Sequence, residues 1–297
     1  MKSILNLIIL SLLLSACSKP SNDTSSSSAE SNPVTENPLS PLIPTCPEGY
    51  VQVQPLEGFT QQSFCVAKFE MKNINGQASS VPQESPWANI NRTDAINACT
   101  QLGPKYNLIN NNEWMTIARR IASQPINWSS GQIAVGELNR GHSDSLPAAP
   151  QPASDQDDES CFLTEQSCSK TLWDSQRRIH FIDDNTLIWD LAGNVLEWVK
   201  DDNLSAIGAD TYISMNNTND IRQTQFGPTP ETICPENSVS PFCGMGYGHF
   251  NYAGGALIRG GSRVYGLSSG IFQILTNYDA NVVGAGLGFR CVYHLNE

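Results

Sequence analysis

The sequence predicts an α+β fold that is rich in loops and stabilised by disulfides. Three observations predict this fold class. Only two segments have the apolar spacing of a helix, short apolar segments typical of strands recur between long polar stretches, and the chain contains nine cysteines. The chain has 297 residues. About 250 of them follow the N-terminal region, which is enough for one domain with its own core.

The N-terminus predicts an export signal. Lys2 precedes an apolar run over residues 4–14 that is too short to span a bilayer as a helix. The following Leu-Ser-Ala-Cys resembles the lipobox of bacterial lipoproteins, so residues 1–17 are predicted as a lipoprotein signal peptide and Cys17 as the lipidation site. The alternative is an ordinary signal peptide with an incidental cysteine. Ser18 favours an outer-membrane lipoprotein of the bacterial cell envelope, facing the periplasm or the cell surface.

The domain is expected to begin near residue 45. Residues 18–44 are mostly Ser, Asn, Pro, Thr and Glu. A segment this polar cannot bury enough surface to offset its ordering entropy, so it is predicted to be a disordered tether. Residues 45–297 then form the folded domain.

The net charge of −12 restricts the class of partner. An acidic surface repels phosphate backbones and disfavours nucleic acid as a partner. It suits divalent cations, although most of these acids are expected to be solvated surface.

The cysteines predict a disulfide framework. Setting Cys17 aside leaves eight, and disulfides persist in the compartments that exported proteins reach. Two pairs would close short loops, one would connect the start of the domain to its first strand, and the last would connect a helix to the final strand. In that order the pairs are Cys161–Cys168, Cys234–Cys243, Cys46–Cys65 and Cys99–Cys291. Zinc is a poor alternative, because no CxxC spacing occurs.

Two helices are predicted. The first covers residues 93–103, with Thr93 as its N-cap. The second covers residues 110–123, where Asn110 followed by Glu113 has the spacing of a capping box. Its apolar face is formed by Trp114, Ile117, Ala118 and Ile121.

Short strands are predicted around these helices. Bulky and small or polar residues alternate over 64–73, and apolar segments recur at 186–199, 256–266 and 286–294. Residues 124–180 show little periodicity and are too long for an unsupported loop in a compact domain. A disulfide or bound ions are expected to hold them.

Five motifs, taken in order, resemble those of one enzyme family. They are FCVAKFEMKN (64–73), NLINNNEWMTIAR (107–119), WDLAGNVLEW (189–198), RGGS (259–262) and GFRC (288–291). From about residue 45 to the C-terminus, the chain resembles the formylglycine-generating enzyme, or sulfatase-modifying factor, superfamily. The resemblance implies a variant of the C-type lectin fold.

The chain departs from these enzymes at their copper site. The enzymes carry two cysteines just after the Gly-Gly-Ser, which bind copper and activate oxygen. Tyr265 and Gly270 stand at those places in this chain. A phenol and a glycine do not supply the thiolates that copper requires, so the departure predicts that formylglycine chemistry is absent.

A second enzymatic branch of the family uses non-haem iron and a His-rich helical domain. In this chain no two histidines have the HxxxH spacing, and no helical domain is predicted before residue 45. The histidines are expected to be ordinary surface or hydrogen-bonding residues. They are His142, His180, His249 and His294.

WDLAGNVLEW is the candidate metal site. Gly193 permits a sharp turn that exposes carbonyl groups, and a carboxylate flanks the turn on each side. The equivalent segment of the family holds a structural calcium. By that resemblance, the ligands are the side chains of Asp190 and Glu197 and the carbonyls of Gly193 and Val195. The alternative is that both carboxylates hydrogen-bond loop amides or Arg290.

Other large side chains of these motifs are expected to be structural. Trp189 and Trp198 bracket the turn, and rings of this size usually pack inward. Arg259 and Arg290 either bind an anionic ligand or, as we expect, pair with acids such as Glu113 or Glu197.

Together these observations predict a non-catalytic, calcium-stabilised binding module, anchored to the membrane through its lipid. Binding is expected in the long loops over 124–180 and 200–255. Tyr247, His249 and Tyr252 form the candidate patch for a glycan or protein ligand. Two alternatives stay open. One is an oxidoreductase of the same superfamily with a different metal site, and the other is a structural lipoprotein that acts in envelope assembly.

Overall fold

The structure, a computed structural model, describes residues 45–202, 210–216, 221–234, 240–250 and 255–296. The predicted signal peptide, Cys17, the tether and Tyr252 lie outside these residues. The chain divides into the units Met1–Ile43 and Pro44–Glu297, and the second contains every described residue. Within the described part, no helix is long and apolar enough to cross a membrane.

Short strands outnumber helices. The strands in chain order are β1 (Tyr50–Val53), β2 (Phe64–Ala67), β3 (Lys72–Ile74), β4 (Gln77–Ser79), β5 (Tyr106–Leu108), β6 (Ile179–Phe181), β7 (Leu187–Trp189), β8 (Leu196–Asp202), β9 (Thr211–Ser214), β10 (Tyr247–Phe250), β11 (Ala256–Arg259), β12 (Ile274–Tyr278), β13 (Leu287–Phe289) and β14 (Cys291–His294). The α-helices are α1 (Arg92–Thr100), α2 (Asn111–Ala122) and α3 (Ile221–Phe226). This mixed, sheet-rich arrangement confirms the α+β, loop-rich prediction.

Two sheets build the domain. The first is antiparallel, with the strand order β1-β2-β14-β5. The second has the order β13-β8-β11-β12-β10-β9, and its β13–β8 and β10–β12 pairs are parallel. Two further pairs of strands, β3-β4 and β6-β7, form separate two-stranded sheets.

Two of the segments predicted as single strands are each divided in two. Residues 64–73 form β2 and the start of β3, because the backbone between them turns to bond elsewhere: Met71 N donates to the Phe289 carbonyl. Residues 286–294 form β13 and β14, which belong to different sheets. Arg290 lies at the point where the chain passes from one sheet to the other.

The N-cap of α1 differs from the prediction. Asn91, not Thr93, caps the helix, and its side chain accepts a hydrogen bond of 2.9 Å from Asp94 N. Asn91 has the extended backbone that an N-cap requires, whereas Thr93 lies inside the first turn.

The capping box of α2 is confirmed. Asn110 Oδ1 accepts from Glu113 N at 2.9 Å, and Glu113 Oε2 accepts from Asn110 N at 2.8 Å. The predicted apolar face of the helix is buried in the main core. Trp114 extends this packing, because its Nε1 donates to the Ile271 carbonyl.

Four disulfides stabilise the fold. They join the pairs expected from the spacing: Cys46–Cys65, Cys99–Cys291, Cys161–Cys168 and Cys234–Cys243. Cys99–Cys291 connects α1 to β14, and both its cysteines are fully buried.

Buried polar side chains hold the long segment 124–180. Asn139 Nδ2 donates to the carbonyls of Arg177 and Ile179, and the Arg177 guanidinium donates to the Ile126 carbonyl. These bonds satisfy a backbone that has little regular structure. The sequence pointed instead to a disulfide or ions, and of these the structure contains the Cys161–Cys168 bond.

Candidate functional site

The WDLAGNVLEW segment forms a tight turn between β7 and β8. Asp190, Gly193 and Asn194 all have positive φ angles. A Cβ on Gly193 would lie 2.8 Å from the Arg140 carbonyl oxygen, so the close approach of two backbones requires glycine there. The bracketing tryptophans are fully buried, which confirms their place in the core.

Both carboxylates of this turn are paired with buried arginines. Asp190 accepts two hydrogen bonds of 2.7 Å from Arg178. Glu197 accepts bonds of 2.7 and 3.2 Å from Arg290. Two-point contacts of this kind are strong and fix the orientation of both side chains. The expected pairing of Arg290 with Glu197 is confirmed.

A third acid and a lysine complete this buried charge cluster. Glu70 accepts hydrogen bonds from Asn194 Nδ2 at 2.6 Å and from Val195 N at 3.2 Å. Lys72 is buried nearby, and its Nζ has no hydrogen-bond partner among the described residues. Burial raises the pKa of Glu70 to about 8 and lowers that of Lys72 to about 8.

This arrangement does not fit a calcium ion. The carboxylates of Asp190 and Glu197 are occupied by guanidinium groups, and calcium would have to displace both. No three His, Cys, Asp or Glu side chains are arranged to hold a metal within the described ranges. Calcium at Asp190, Gly193, Val195 and Glu197 stays a prediction against which these two ion pairs argue. A melting temperature that falls when EDTA is added would support the site, and an unchanged one would reject it.

Arg259 differs from Arg290. It donates to the Asn111 side chain and to the carbonyls of Phe226 and Phe272, rather than to a carboxylate. Burial lowers its pKa to about 9. Within the described residues the expected pairing with an acid is therefore wrong for Arg259, because its guanidinium bonds neutral oxygens.

The four histidines bind different partners. His142 and His180 are buried and hydrogen-bonded to backbone carbonyls, His249 to Asp210, and His294 to Glu113. Burial lowers the pKa of His142, and it lowers that of His180 to about 4.

His180 predicts a pH-dependent contribution to stability. Its pKa is about 4 in the folded protein against an ordinary value of 6.5, so between these values the unfolded chain binds the extra proton. The contribution of His180 to the free energy of unfolding is therefore fully present above pH 6.5. It is lost as the pH falls towards 4, by up to about 3 kcal/mol. Urea unfolding measures the free energy of unfolding at pH 7 and at pH 4. The decrease between the two pH values should be smaller in His180→Gln than in the wild-type chain, by about this amount. Equal losses in both proteins would contradict the assignment.

Tyrosine rings gather around Tyr265. Tyr265 lies 6.2 Å from Tyr247, and Tyr247 lies 6.2 Å from Tyr212, with interplanar angles of 22° and 23°. Burial, and to a smaller extent the neighbouring Tyr278, raises the pKa of Tyr265. Tyr212, Tyr247, Tyr265 and Tyr278 are named the tyrosine face.

Strand pairing explains part of this row. β9 and β10 are antiparallel, and their register sets Tyr212 opposite His249. The two rings stack at 3.9 Å with an interplanar angle of 9°. Gly270 packs against the backbone of Gly244 and Met245, where a side chain has no room.

A cleft of about 370 Å³ opens beside the tyrosine face. It is lined by Tyr212, Ile213, Ser214, Phe242, Tyr247 and Ser268. The neighbouring loop exposes Val264 and Leu267, and Tyr212 is 67% exposed. Aromatic rings and hydroxyl groups at the rim of a cleft are typical of binding surfaces.

The sequence identified only part of this face. Of the candidate patch, Tyr247 belongs to this face, His249 is buried and stacks on Tyr212, and Tyr252 lies outside the described residues. Sequence reasoning missed Tyr212 and Tyr278, because the strands that bring them together are distant along the chain. Tyr265 was noted as a replaced cysteine and not as a binding residue.

Comparisons with known proteins give weak similarities. No family model and no curated protein matches the chain. Among solved structures, Treponema denticola variable protein 1 is 15% identical over 82% of this chain and 91% of its own, with a TM-score of 0.41. The Major Tropism Determinant I1 variant is 14% identical over 84% of this chain, which spans only 53% of that protein, with a TM-score of 0.39. PvdO from Pseudomonas aeruginosa is 13% identical over 83% and 92% of the two chains, with a TM-score of 0.36. We draw no functional conclusion from similarities at this level.

Proposed function

We propose that this chain is a non-catalytic binding module with a C-type-lectin-like fold of the formylglycine-generating type, and that its tyrosine face holds the ligand. The observation that carries the proposal is the row of partly exposed tyrosine rings beside an open cleft. Tyrosine provides a large contact area at a low entropic cost, with a hydroxyl group for hydrogen bonding. A glycan or a protein surface is the ligand class that such a face suits.

The proposal includes an anchor to the bacterial envelope. Acylation of Cys17 would hold the chain on the outer membrane, and residues 18–44 would give the domain reach. Labelling cells with a radioactive fatty acid tests this part. We expect the label on the wild-type chain and not on Cys17→Ser.

Replacing Tyr265 by Ala is expected to weaken ligand binding by about tenfold or more, because an aromatic anchor at the centre of the face is lost. The ligand is first found by applying the purified full chain to a glycan array and to envelope proteins immobilised on beads. The variant is then measured against the best binder, and Tyr247→Ala should behave alike. Tyr106→Ala, which removes a partly exposed tyrosine from β5 in the other sheet, is the matched control and should leave binding unchanged.

Two results would contradict the proposal. The first is binding that neither Tyr265→Ala nor Tyr247→Ala weakens. The second is one equivalent of copper or iron in protein purified from its oxidising compartment, which would favour an oxidoreductase.

A further inference from the structure

We infer that the ligand of the tyrosine face presents an arginine side chain, on an exposed basic segment of a partner protein, to Tyr212 and Asp210. This inference rests on the proposed function and names the chemistry of the ligand. Both residues contact His249, which stacks on the Tyr212 ring at 3.9 Å and hydrogen-bonds Asp210 at 2.7 Å. An aromatic ring therefore lies next to a carboxylate at the exposed end of the row.

The exposure of both groups leaves them open to a ligand. Tyr212 is 67% exposed, and the Asp210 side chain is 61% exposed. Only one Asp210 oxygen, Oδ1, bonds His249. In the inferred complex the guanidinium stacks on the face of the Tyr212 ring that His249 leaves open, and Oδ2 is its hydrogen-bond acceptor.

Charge favours a cation at this position. The chain carries a net charge of −12, and none of the six described residues that line the neighbouring cleft is cationic. A guanidinium gains from stacking on a tyrosine ring, and it also forms a hydrogen bond with a carboxylate. The acidic surface then attracts the rest of a basic segment at long range.

The apolar surroundings favour a protein as the source of this arginine. Val264 and Leu267 are exposed on the loop that carries Tyr265, beside the tyrosine rings. Interfaces with protein partners combine apolar and aromatic surface with arginine at their centre. A small cation alone would leave this apolar rim uncovered.

The test uses a labelled peptide of alternating arginine and glycine, and the same peptide with citrulline, which keeps the shape of arginine without its charge. Binding to the purified full chain is followed by fluorescence anisotropy. We expect the arginine peptide to bind at least about tenfold more tightly than the citrulline peptide. Asp210→Asn and Tyr212→Ala should each remove most of this preference, and Tyr212→Phe should keep it because the ring remains.

Asp158→Asn is the matched control. It removes one exposed carboxylate from a distant loop and changes the net charge by the same amount. If Asp158→Asn weakens binding as much as Asp210→Asn, the peptide responds only to net charge and the inference is wrong. Equal binding of the two peptides would also overturn it.

The two proposals fail in different ways. A glycan or neutral ligand that depends on Tyr265 and Tyr247, together with no binding of the arginine peptide, would leave the proposed function standing and reject this inference. If the chain binds no glycan, no envelope protein and no arginine peptide, both proposals are wrong.

Discussion

Replacing Arg290 by Met is expected to lower the free energy of unfolding by about 3–5 kcal/mol, because it leaves Glu197 charged and buried without its partner. Arg290 also donates to the carbonyls of Ala67 and Trp189, and these acceptors would lose their donor. Methionine keeps most of the side-chain volume, so a cavity contributes little to the loss. Urea unfolding followed by tryptophan fluorescence measures the effect.

Two further variants separate charge from packing. The double variant Arg290→Met, Glu197→Leu removes both charges and should recover a large part of the loss, because no uncompensated carboxylate remains. Lys170→Met breaks the exposed salt bridge between Lys170 and Asp158, whose charged atoms are 3.9 Å apart. It should lower the free energy of unfolding by less than about 1 kcal/mol. The interpretation fails if Arg290→Met costs no more than Lys170→Met.

Structural features that depend on neighbouring residues, or on residues within recognisable motifs, could be predicted from the sequence. The capping box of α2 needs only Asn110 and Glu113, three positions apart, and it forms as expected. The Glu197–Arg290 pair was one of the stated alternatives, since both residues lie in recognisable motifs. The predicted N-cap of α1 was wrong by two residues, because Asn91 and Thr93 are both good capping residues and the sequence alone does not rank them.

Features that need distant partners could not be predicted. Asp190 pairs with Arg178, which lies in a segment without periodicity, so no pattern indicated the contact. Lys72 reads as a polar residue of a half-exposed strand, yet it is buried beside Glu70. The tyrosine face likewise combines three strands and a loop, and only the assembled sheet order brings its rings together.

The buried charge cluster and the tyrosine face are connected through one loop. Asn194, held by Glu70, accepts a hydrogen bond of 3.1 Å from Arg263 N at its own carbonyl. Gly266 N donates to the Ser143 carbonyl at 2.7 Å on the other side of Tyr265. The loop that carries Tyr265 is therefore fixed at both ends by the turn and its neighbours. Binding surfaces supported by rigid elements lose less entropy when a ligand binds.

Removing the Cys99–Cys291 disulfide is expected to destabilise the domain by about 5 kcal/mol in the chain-entropy model, the largest effect of any single crosslink here. The bond closes a loop of 192 residues, so its loss frees most of the unfolded domain. Cys161–Cys168 closes only 7 residues and should contribute about 2 kcal/mol. In each double variant both cysteines of one pair are replaced by alanine, so the two variants carry the same type of substitution. Urea unfolding of each variant measures the loss of stability. If the two double variants lose the same stability, loop length does not set the contribution. Local packing around α1 and β14 would then have to explain the stabilisation.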